Sequence, residues 1–464
     1  MSQPNELESD AVVIFGVTGD LAFKKLFPAL HALARRGRLE VPVIGVARSD
    51  WTEQRLRERA KESIEASGRL DPGAFDKLAG RLRYVAGDYN DPATYRRLRK
   101  ALGPSVRPLL YLAIPPSMFG TVLDNLQHCG CTVDARVVVE KPFGRDLASS
   151  RELNRELRRV FDESAIFRID HYLGKEPVQN LLYFRFANSF FEPIWNRNYI
   201  ASVQITMAEK FGVQGRGKFY EESGAIRDVV QNHMLQLVAS LAMESPVGQH
   251  RDAIRNARTQ VLQAIVPLTA ADVVRGQYVG YRDEPDVAPR STVETFAAVR
   301  LSIDSWRWAG VPFFIRAGKR MPVTCTEVLV ELQRPPRAVF DEPLAALAGT
   351  NYLRFRLGPD VAIALGVRTK APGERMTGRN VELMAAQAPG EAMLDYERLI
   401  GDAMRGDASQ FARDDIVEAE WRVVDGILGD VTPVHEYRPE TWGPPAAETM
   451  VSVAGGWQRP EPSR

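Results

Sequence analysis

The sequence contains few cysteines and no long apolar run. Its 464 residues include only Cys129, Cys131 and Cys325, and the Cys-Gly-Cys pair has no second pair to complete it. This pattern argues against a disulfide framework and a zinc site, so no metal is expected. No apolar stretch approaches the roughly 20 residues of a membrane span. Because the N-terminal MSQPNELESD is polar and acidic, unlike a secretory signal, we expect a cytoplasmic protein with reduced thiols and no membrane partner.

An excess of either charge is also missing. Sixty lysines and arginines balance 59 aspartates and glutamates, which leaves a net charge of +1. A chain without a global field has little attraction for nucleic acid, so no nucleic-acid partner is expected. Any recognition of an anion must therefore be local.

The first third of the chain alternates short apolar segments with helical patterns. This alternation predicts βαβ units and a Rossmann-like, doubly wound parallel sheet, which we assign to residues 1–170. The predicted strands are AVVIF (11–15), VPVIGVA (41–47), RYVAG (83–87), PLLYLAI (108–114), RVVVE (136–140) and FRID (167–170).

From about Tyr199 the pattern changes to period-two alternation over long runs. IASVQITMA (200–208), EVLVELQR (327–334) and YLRFRL (352–357) predict a mostly antiparallel sheet with one covered face. The stretch 226–244 is apolar almost all round and is expected to form a buried helix. We therefore predict a larger second domain of the α+β class, residues 171–464, with helices beside the sheet.

A glycine-containing turn follows the first predicted strand. GVTGDLA places Gly16, Gly19 and Ala22 between strand and helix, with the spacing G-x-x-G-x-x-A. Glycine lets the backbone approach a pyrophosphate, and a helix N-terminus offers free N–H groups and a positive dipole end. No Gly-Lys-Ser/Thr follows, so the turn is not a P-loop. It predicts a dinucleotide site, with an ordinary turn as the alternative.

Arg48 indicates which dinucleotide is preferred. Sites for NAD usually carry Asp or Glu at the end of the second strand, but here that strand is followed by Arg48 and Ser49. A guanidinium can hold a 2′-phosphate through two hydrogen bonds, so we predict NADP as the cofactor. The alternative is a solvated surface arginine, and Asp50 close by would soften the preference.

RIDHYLGKE, residues 168–176, is a dense polar stretch directly after a predicted strand. His171 and Lys175 are four residues apart, so one helical turn would bring them to one face, with Tyr172 adjacent. Imidazole, hydroxyl and ammonium groups can all donate to phosphate oxygens. The plainer alternative is a helix cap followed by a solvated first turn.

Five motifs occur in an order shared with a known family: GVTGDLA, Arg48, EKPFG (140–144), RIDHYLGKE and RDVVQNH (227–233). With them the chain closely resembles the glucose-6-phosphate dehydrogenase family, from about residue 11 to 444. The resemblance implies an NADP-dependent oxidoreductase that oxidises D-glucose 6-phosphate at C1 to 6-phospho-D-glucono-1,5-lactone, the first step of the oxidative pentose phosphate pathway. It also implies a homodimer or homotetramer.

Catalytic roles follow from the same resemblance. The reaction removes a proton from the anomeric hydroxyl, and histidine, with an unperturbed pKa of about 6.5, suits a base near neutral pH. The family's base corresponds to His233 and its orienting carboxylate to Asp170. Without that context His233 would be interpreted as a core histidine bonded to backbone. Lys141 follows an apolar strand, where ligands of open α/β sheets bind, and Pro142 is expected in a cis peptide.

The resemblance assigns two further groups of residues by position. The substrate-binding group is Lys141, His171, Tyr172, Lys175, Glu209, Asp228 and Lys319. The cofactor-binding group is Gly16, Val17, Thr18, Gly19, Asp20, Leu21, Ala22, Arg48, Asp88, Tyr89 and Lys141. Asp228 has a competing interpretation as a plain helix N-cap.

Two positions depart from the family pattern. Thr324 stands where a further basic residue is common, with Arg320 as the nearest cation that could replace it, and Gly358 stands where some members have glutamine. Both positions lie at the substrate's edge, so another hexose 6-phosphate is the nearest alternative substrate. The alternative from another class is a catalytically silent paralogue that binds dinucleotide and regulates a partner.

Overall fold

The computed structural model describes residues 8–170, 172–248, 252–340, 342–386 and 393–462. By packing, the chain forms two compact units. The first comprises Met1–Glu176, Val247–Asn256 and Glu391–Glu418, and the second comprises Pro177–Pro246, Ala257–Gly390 and Ala419–Arg464. The first unit therefore takes in two segments from later in the chain. The functional division into residues 1–170 and 171–464 stays a prediction.

An all-parallel sheet of six described strands forms the centre of the first unit. The strands are β1 (Ala11–Phe15), β2 (Val43–Ala47), β3 (Leu82–Ala86), β4 (Pro108–Leu112), β5 (Arg136–Glu140) and β6 (Ile166–Ile169). Their order is β3-β2-β1-β4-β5-β6, so the direction of winding reverses between β1 and β4. Open α/β sheets bind ligands beyond the carboxyl ends of the strands at such a reversal. The predicted Rossmann-like sheet is confirmed.

Short polar residues determine where several helices of the first unit begin. The helices are α1 (Phe27–Arg35), α2 (Glu53–Ala66), α3 (Pro72–Arg81), α4 (Pro92–Leu102), α5 (Phe119–His128) and α6 (Leu147–Arg158). Thr52, Asp71, Asp91 and Asp146 precede α2, α3, α4 and α6, and each side chain accepts a backbone hydrogen bond from the first turn. Such caps satisfy N–H groups that have no partner within the helix.

The core of the first unit lies between the sheet and its helices. β1, β2 and β4 are buried at every residue, as expected of strands covered on both faces. A later helix, Asp395–Arg405, packs Leu399 and Ile400 into the same core as Leu30 and Leu33 of α1. This packing explains why a late segment belongs to the first unit.

A mixed sheet of nine described strands forms the centre of the second unit. The strands are β7 (Ile200–Ala208), β8 (Val273–Tyr278), β9 (Phe296–Ser302), β10 (Pro312–Gly318), β11 (Cys325–Leu332), β12 (Tyr352–Gly358), β13 (Ala362–Lys370), β14 (Gly378–Ala386) and β15 (Val434–Tyr437). Their order is β14-β13-β12-β11-β7-β10-β9-β8-β15. β7 with β10 and β8 with β15 are parallel, and the other neighbours are antiparallel. The predicted, mostly antiparallel sheet is confirmed.

The remaining helices include the buried one that the sequence predicted. They are α7 (Glu176–Ala187), α8 (Gly217–Ala225), α9 (Leu235–Ala242), α10 (Ala253–Ala264), α11 (Asp395–Arg405), α12 (Asp414–Val424) and α13 (Pro445–Met450). A π-helical segment, Ile226–Met234, joins α8 to α9, and every residue of α9 is buried. No helix among the described residues is both long and apolar enough to cross a membrane.

Candidate active site

The turn after β1 is shaped by a glycine that no other residue could replace without strain. Gly16 has φ of +80°, and a Cβ atom placed on it would lie 2.2 Å from the Ala113 carbonyl oxygen. The Gly19 N–H donates to the Gly16 carbonyl at 2.9 Å, and helical backbone begins at Asp20. The turn therefore leaves bare backbone beside a helix N-terminus, which fits a dinucleotide pyrophosphate.

The other predicted residues of this turn divide into core and surface positions. Val17 and Ala22 are buried in the core of the first unit, and Leu21 packs against it, so these residues can offer a cofactor only backbone groups. The Thr18 hydroxyl lies 3.5 Å from the Ser49 hydroxyl, next to the end of β2. Asp20 is exposed and pairs with Lys24 at 2.9 Å, a contact that lowers the pKa of Asp20.

Arg48, directly after β2, is exposed and forms an ion pair with Asp88. Its Nη2 atom lies 3.1 Å from Asp88 Oδ1, and both side chains are about half-exposed. The backbone N–H of Asn90 and the Arg48 guanidinium lower the pKa of Asp88. Tyr89 is buried, and its hydroxyl accepts from the Gly16 N–H at 2.9 Å. The first unit thus brings Arg48, Asp88, Tyr89 and the glycine turn to one region.

Glu140, the last residue of β5, is a titratable group that the sequence interpretation missed. Burial raises the pKa of Glu140 to about 7, and the charge of Asp170 acts in the same direction. Hydrogen bonds from Tyr111 and Tyr396 oppose this shift by favouring the carboxylate. The following peptide, Lys141–Pro142, is cis, which confirms that prediction. The sequence shows that Glu140 ends a strand and precedes Lys141, but it does not show that Glu140 is buried.

Asp170 is buried at the carboxyl end of β6. Only 2% of its surface is exposed, and its Oδ1 atom accepts from the Tyr172 N–H at 2.9 Å. Tyr172 is equally buried, and the Lys175 ammonium lies 4.6 Å from the centre of its ring. This cation–π contact orients Lys175. Burial raises the pKa of Asp395, and the positive charge of nearby Lys175 opposes that shift.

The prediction that one helical turn presents Lys175 is wrong. Residues 172–174 form a turn, and α7 begins only at Glu176. The Asp170 side chain bonds to backbone two residues later, which favours a local turn over a helix. His171, the other member of the predicted pair, lies outside the described residues.

Arg168, the first residue of RIDHYLGKE, has a structural role in the first unit. It is fully buried in β6, and its guanidinium donates to both carboxylate oxygens of Glu163 at 2.6 and 3.1 Å. Its Nε atom donates to Asn154 of α6 at 3.2 Å. These bonds hold β6, the strand that precedes Asp170.

In the second unit, two charged residues follow the ends of neighbouring parallel strands. β7 and β10 align Ala208 with Gly318, so Glu209 and Lys319 emerge side by side. The Lys319 ammonium lies 2.6 Å from Glu209 Oε2, and both side chains are mostly buried. Parallel pairing thus places a carboxylate and an ammonium together at one sheet edge.

Tyr220 lies beside this pair and was not identified from the sequence. The Lys319 ammonium is 5.1 Å from the centre of its ring. Burial raises the pKa of Tyr220 well above its ordinary value, and the charges of Asp228 and Glu209 add to the shift. Asp228, Glu209 and Lys319 therefore lie around one buried phenol, as a polar cluster suited to sugar hydroxyls.

Asp228 and His233 both lie in the π-helical segment Ile226–Met234. The segment begins after Ala225, so Asp228 is inside it and the N-cap interpretation of Asp228 is wrong. The first N–H group of the segment, that of Ile226, donates to the Glu294 side chain at 3.1 Å. π-Helical turns are rare in proteins, and those that occur are often found at functional sites.

His233 occupies a buried position with its backbone fixed by a neighbour. Its exposed fraction is 4%, and its N–H donates to the Asn232 side-chain oxygen at 2.7 Å. The Asn232 amide in turn donates to the Arg227 carbonyl at 2.9 Å. These two hydrogen bonds within RDVVQNH fix the backbone that carries the His233 imidazole.

The two departures from the family pattern take up local roles. The Thr324 hydroxyl accepts from the Lys210 N–H at 3.0 Å, next to Glu209. Arg320 extends towards Glu284, 3.9 Å away, and is half-exposed. Gly358 ends β12, and its register partner is Thr326 of β11.

Comparison with known proteins covers nearly the whole chain. Family models described as glucose-6-phosphate dehydrogenase, NAD binding domain, and glucose-6-phosphate dehydrogenase, C-terminal domain, match residues 13–180 and 182–458. Glucose-6-phosphate 1-dehydrogenase 1 of Mycobacterium tuberculosis (strain ATCC 25618 / H37Rv) is 44% identical over 97% of each chain.

Two solved structures agree with these matches. The crystal structure of glucose-6-phosphate 1-dehydrogenase from Mycobacterium avium is 44% identical, with a TM-score of 0.90, over 98% of this chain and 100% of that one. A glucose-6-phosphate dehydrogenase in complex with its substrate glucose 6-phosphate is 35% identical, with a TM-score of 0.89, over the same shares. The chain therefore belongs to the glucose-6-phosphate dehydrogenase family.

Proposed function

We propose that this protein oxidises D-glucose 6-phosphate at C1 to 6-phospho-D-glucono-1,5-lactone, with NADP⁺ as the hydride acceptor. The observation that carries the proposal is its full-length similarity to an enzyme structure that contains glucose 6-phosphate as substrate. The reaction is the first step of the oxidative pentose phosphate pathway. The bound nicotinamide supplies the acceptor, and the chain must supply binding, orientation and a base.

His233 is proposed as the base that takes the proton from the anomeric hydroxyl. Histidine changes its charge near neutral pH, and a buried imidazole keeps its ring in one place. Asp170, a buried aspartate at the end of a strand, is proposed as the carboxylate that orients the His233 ring. Loss of a proton from oxygen makes departure of hydride from C1 easier.

Three residues after β6 are proposed to hold the sugar phosphate: His171, Tyr172 and Lys175. An ammonium oriented on an aromatic ring can donate to phosphate oxygens with little loss of rotamer freedom. The polar cluster of Glu209, Asp228 and Lys319 is proposed to bind sugar hydroxyls, because carboxylates accept from them. Lys141 is proposed to contact both sugar and nicotinamide.

The glycine turn, Arg48, Asp88, Tyr89 and Lys141 are proposed as the NADP site. The turn's fit to a pyrophosphate rests on the tight backbone at Gly16, where only glycine fits against Ala113, and on the helix N-terminus that follows; Val17, Thr18, Gly19, Asp20, Leu21 and Ala22 complete the turn. The exposed Arg48 guanidinium is placed at the end of β2, where the 2′ position of the adenosine ribose is recognised in such folds.

Arg48→Ala should reduce the preference for NADP over NAD by about tenfold or more, since a charge-assisted contact to phosphate is lost. The measurement is the ratio of kcat/KM values for the two cofactors. Arg83→Ala serves as a matched control, because Arg83 is an exposed arginine on β3 that bonds only to nearby carbonyls among described residues. A ratio that stays at the wild-type value would contradict the role of Arg48.

Asp88→Asn should change the preference for NADP over NAD in the opposite direction. Removal of this carboxylate leaves Arg48 without its ion-pair partner and weakens repulsion of a phosphate. The ratio of kcat/KM for NADP to kcat/KM for NAD should therefore rise. If the preference for NADP falls in both Arg48→Ala and Asp88→Asn, it depends on the ion pair and not on Arg48 alone.

The proposed reaction is tested by initial rates with glucose 6-phosphate, measured with NADP and with NAD. We expect turnover with glucose 6-phosphate and a higher kcat/KM with NADP. A panel of hexose 6-phosphates with altered groups at C2 to C4 tests the sugar. A far higher kcat/KM with one of these analogues would overturn the assignment of glucose 6-phosphate.

The remaining proposals concern organisation. Residues 1–170 are proposed as the NADP-binding domain and 171–464 as the substrate-binding and dimerisation domain. We propose a homodimer or homotetramer, with the sheet of the second unit as the contact surface. A cytoplasmic location is proposed because Cys129, Cys131 and Cys325 are all free thiols.

A further inference from the structure

Two cysteines lie in contact at the end of α5, in the first unit. The Sγ atoms of Cys129 and Cys131 are 2.7 Å apart, and neither cysteine is in a disulfide. Cys131 is buried, with 1% exposed, whereas Cys129 is only partly buried. Cys129 is thus the more exposed residue of the pair.

The turn that ends α5 creates this contact. Gly130 has φ of +67°, and the Cys131 N–H donates to the Leu126 carbonyl at 2.9 Å, in the manner of a glycine-terminated helix. The left-handed residue folds the chain back on itself, so the side chains on either side of it face each other. Open space surrounds Gly130, since no atom lies within 4 Å of a Cβ placed there.

The surroundings favour a thiolate on the accessible cysteine. The hydrogen bond between the two sulfur atoms lowers the pKa of Cys129 to about 7, and the Cys131 N–H and Arg99 act in the same direction. The same hydrogen bond and burial raise the pKa of Cys131. These interactions therefore favour loss of a proton from Cys129 over Cys131, as expected of a dithiol in which the more exposed sulfur is the nucleophile.

We propose that Cys129 and Cys131 form a reversible oxidation site, at which a hydroperoxide converts the two thiols into an intramolecular disulfide. A disulfide bond is about 2.05 Å long, so the sulfur atoms need to approach by only about 0.7 Å.

The chemistry balances in two steps. The Cys129 thiolate attacks one peroxide oxygen, so an S–O bond forms, the O–O bond breaks, and the leaving alkoxide or hydroxide takes a proton from solvent. The Cys131 sulfur then attacks Cys129, the S–S bond forms, and the sulfenic oxygen leaves as water with the Cys131 proton. Two thiols are oxidised by two electrons, and one hydroperoxide is reduced. A small dithiol reverses the reaction by exchange.

A metal site explains this pair less well. Two thiolates on one tetrahedral zinc ion, each at about 2.3 Å, have their sulfur atoms about 3.8 Å apart. The observed 2.7 Å is too short for an ion between them. Among the described residues, no group of three or more histidines, cysteines or carboxylates could complete such a site.

The third cysteine provides an internal control for reactivity. Cys325 in β11 is 2% exposed, and burial raises its pKa to about 11. At pH 7 the thiolate fraction of Cys129 should therefore be far larger than that of Cys325. Oxidation of the folded protein should therefore select the Cys129–Cys131 pair.

The test is treatment of the full, folded protein with hydrogen peroxide at pH 7, followed by mass spectrometry of the peptide that contains both cysteines. We expect a loss of 2 Da, protection of both thiols from alkylation, full reversal by dithiothreitol and a rate at least about tenfold above that of Cys325. The rate should rise with pH through about 7 and then level off. This wild-type measurement decides the proposal without any substitution.

Variants define the order of the steps. Cys131→Ser should leave a sulfenic acid on Cys129 that dimedone traps, Cys129→Ser should slow oxidation of Cys131 at least about tenfold, and Cys325→Ser should behave as wild type. Oxidation of the pair only after unfolding, a stable sulfinic acid on Cys129 with Cys131 still alkylated, or disulfide-linked dimers would each overturn the proposal. None of these measurements depends on the enzyme's activity.

Discussion

His233→Asn should lower kcat by roughly 10²–10⁴-fold, with little change in the affinity for glucose 6-phosphate. Asparagine retains a polar side chain of similar reach but cannot accept the proton from the anomeric hydroxyl. The expected loss is confined to kcat because a base acts only once the substrate is bound. The measurements are steady-state rates with NADP and equilibrium dialysis of labelled sugar phosphate.

A second buried histidine supplies the matched control. His31 in α1 is 2% exposed and accepts from the Asp71 N–H at 3.2 Å, outside the proposed site. His31→Asn should retain kcat even if it lowers stability. Unchanged turnover in His233→Asn, or an equal loss in both variants with an equal fall in Tm, would remove His233 from the mechanism.

The pH profile separates His233 from Glu140 as the group that controls the rate at low pH. Burial raises the pKa of Glu140 to about 7, so Glu140 loses a proton between pH 6 and 8. If His233 is the base, the fall of kcat/KM at low pH persists in Glu140→Gln and disappears from the residual rate of His233→Asn. The opposite pattern would assign the acid limb to Glu140.

The sequence predicted the sheets and the glycine turn because both depend on local patterns. Alternating strands and helices specify a parallel sheet, and period-two runs specify the other sheet. Gly16 was identifiable because only glycine fits the backbone conformation at this strand-to-helix turn without strain. Motif order and the family resemblance then supplied His233 and Asp170, which composition alone could not distinguish from core residues.

Features that depend on tertiary packing were not predicted. Glu140 and Tyr220 acquire their shifted pKa values mainly from burial, with added effects from charges on other elements, Asp170 for Glu140 and Asp228 for Tyr220. The start of α7 was misplaced because helical spacing suggested a first turn at residues 171–175. The Asp170 side chain bonds to the Tyr172 N–H and stabilises a turn there instead.

Lys175→Ala should raise the KM for glucose 6-phosphate by about 10- to 100-fold, because a charge-assisted hydrogen bond contributes about 1.5–3 kcal/mol. The value of kcat should change much less, since the phosphate lies at the end of the sugar away from C1. Unphosphorylated glucose has nothing for this ammonium to bind, so its kcat/KM should stay within about twofold of wild type.

A Tyr172 variant separates the contribution of the Tyr172 hydroxyl from that of the Lys175 ammonium. The Lys175 ammonium lies 4.6 Å from the centre of the Tyr172 ring, so Tyr172→Phe keeps the cation–π contact and removes only the hydroxyl donor. The rise in KM should be smaller than in Lys175→Ala. Lys77→Ala, a change to an exposed lysine on α3, should leave all these values unchanged.

The two substrates together decide the role of Lys175. A phosphate ligand loses affinity for the phosphorylated sugar alone, whereas a residue that only supports the fold lowers kcat/KM for both sugars and lowers Tm. Lys175→Arg keeps the positive charge and should restore part of the affinity, incompletely because a planar guanidinium donates in a different geometry. Equal losses with glucose and glucose 6-phosphate would show that Lys175 does not hold the phosphate.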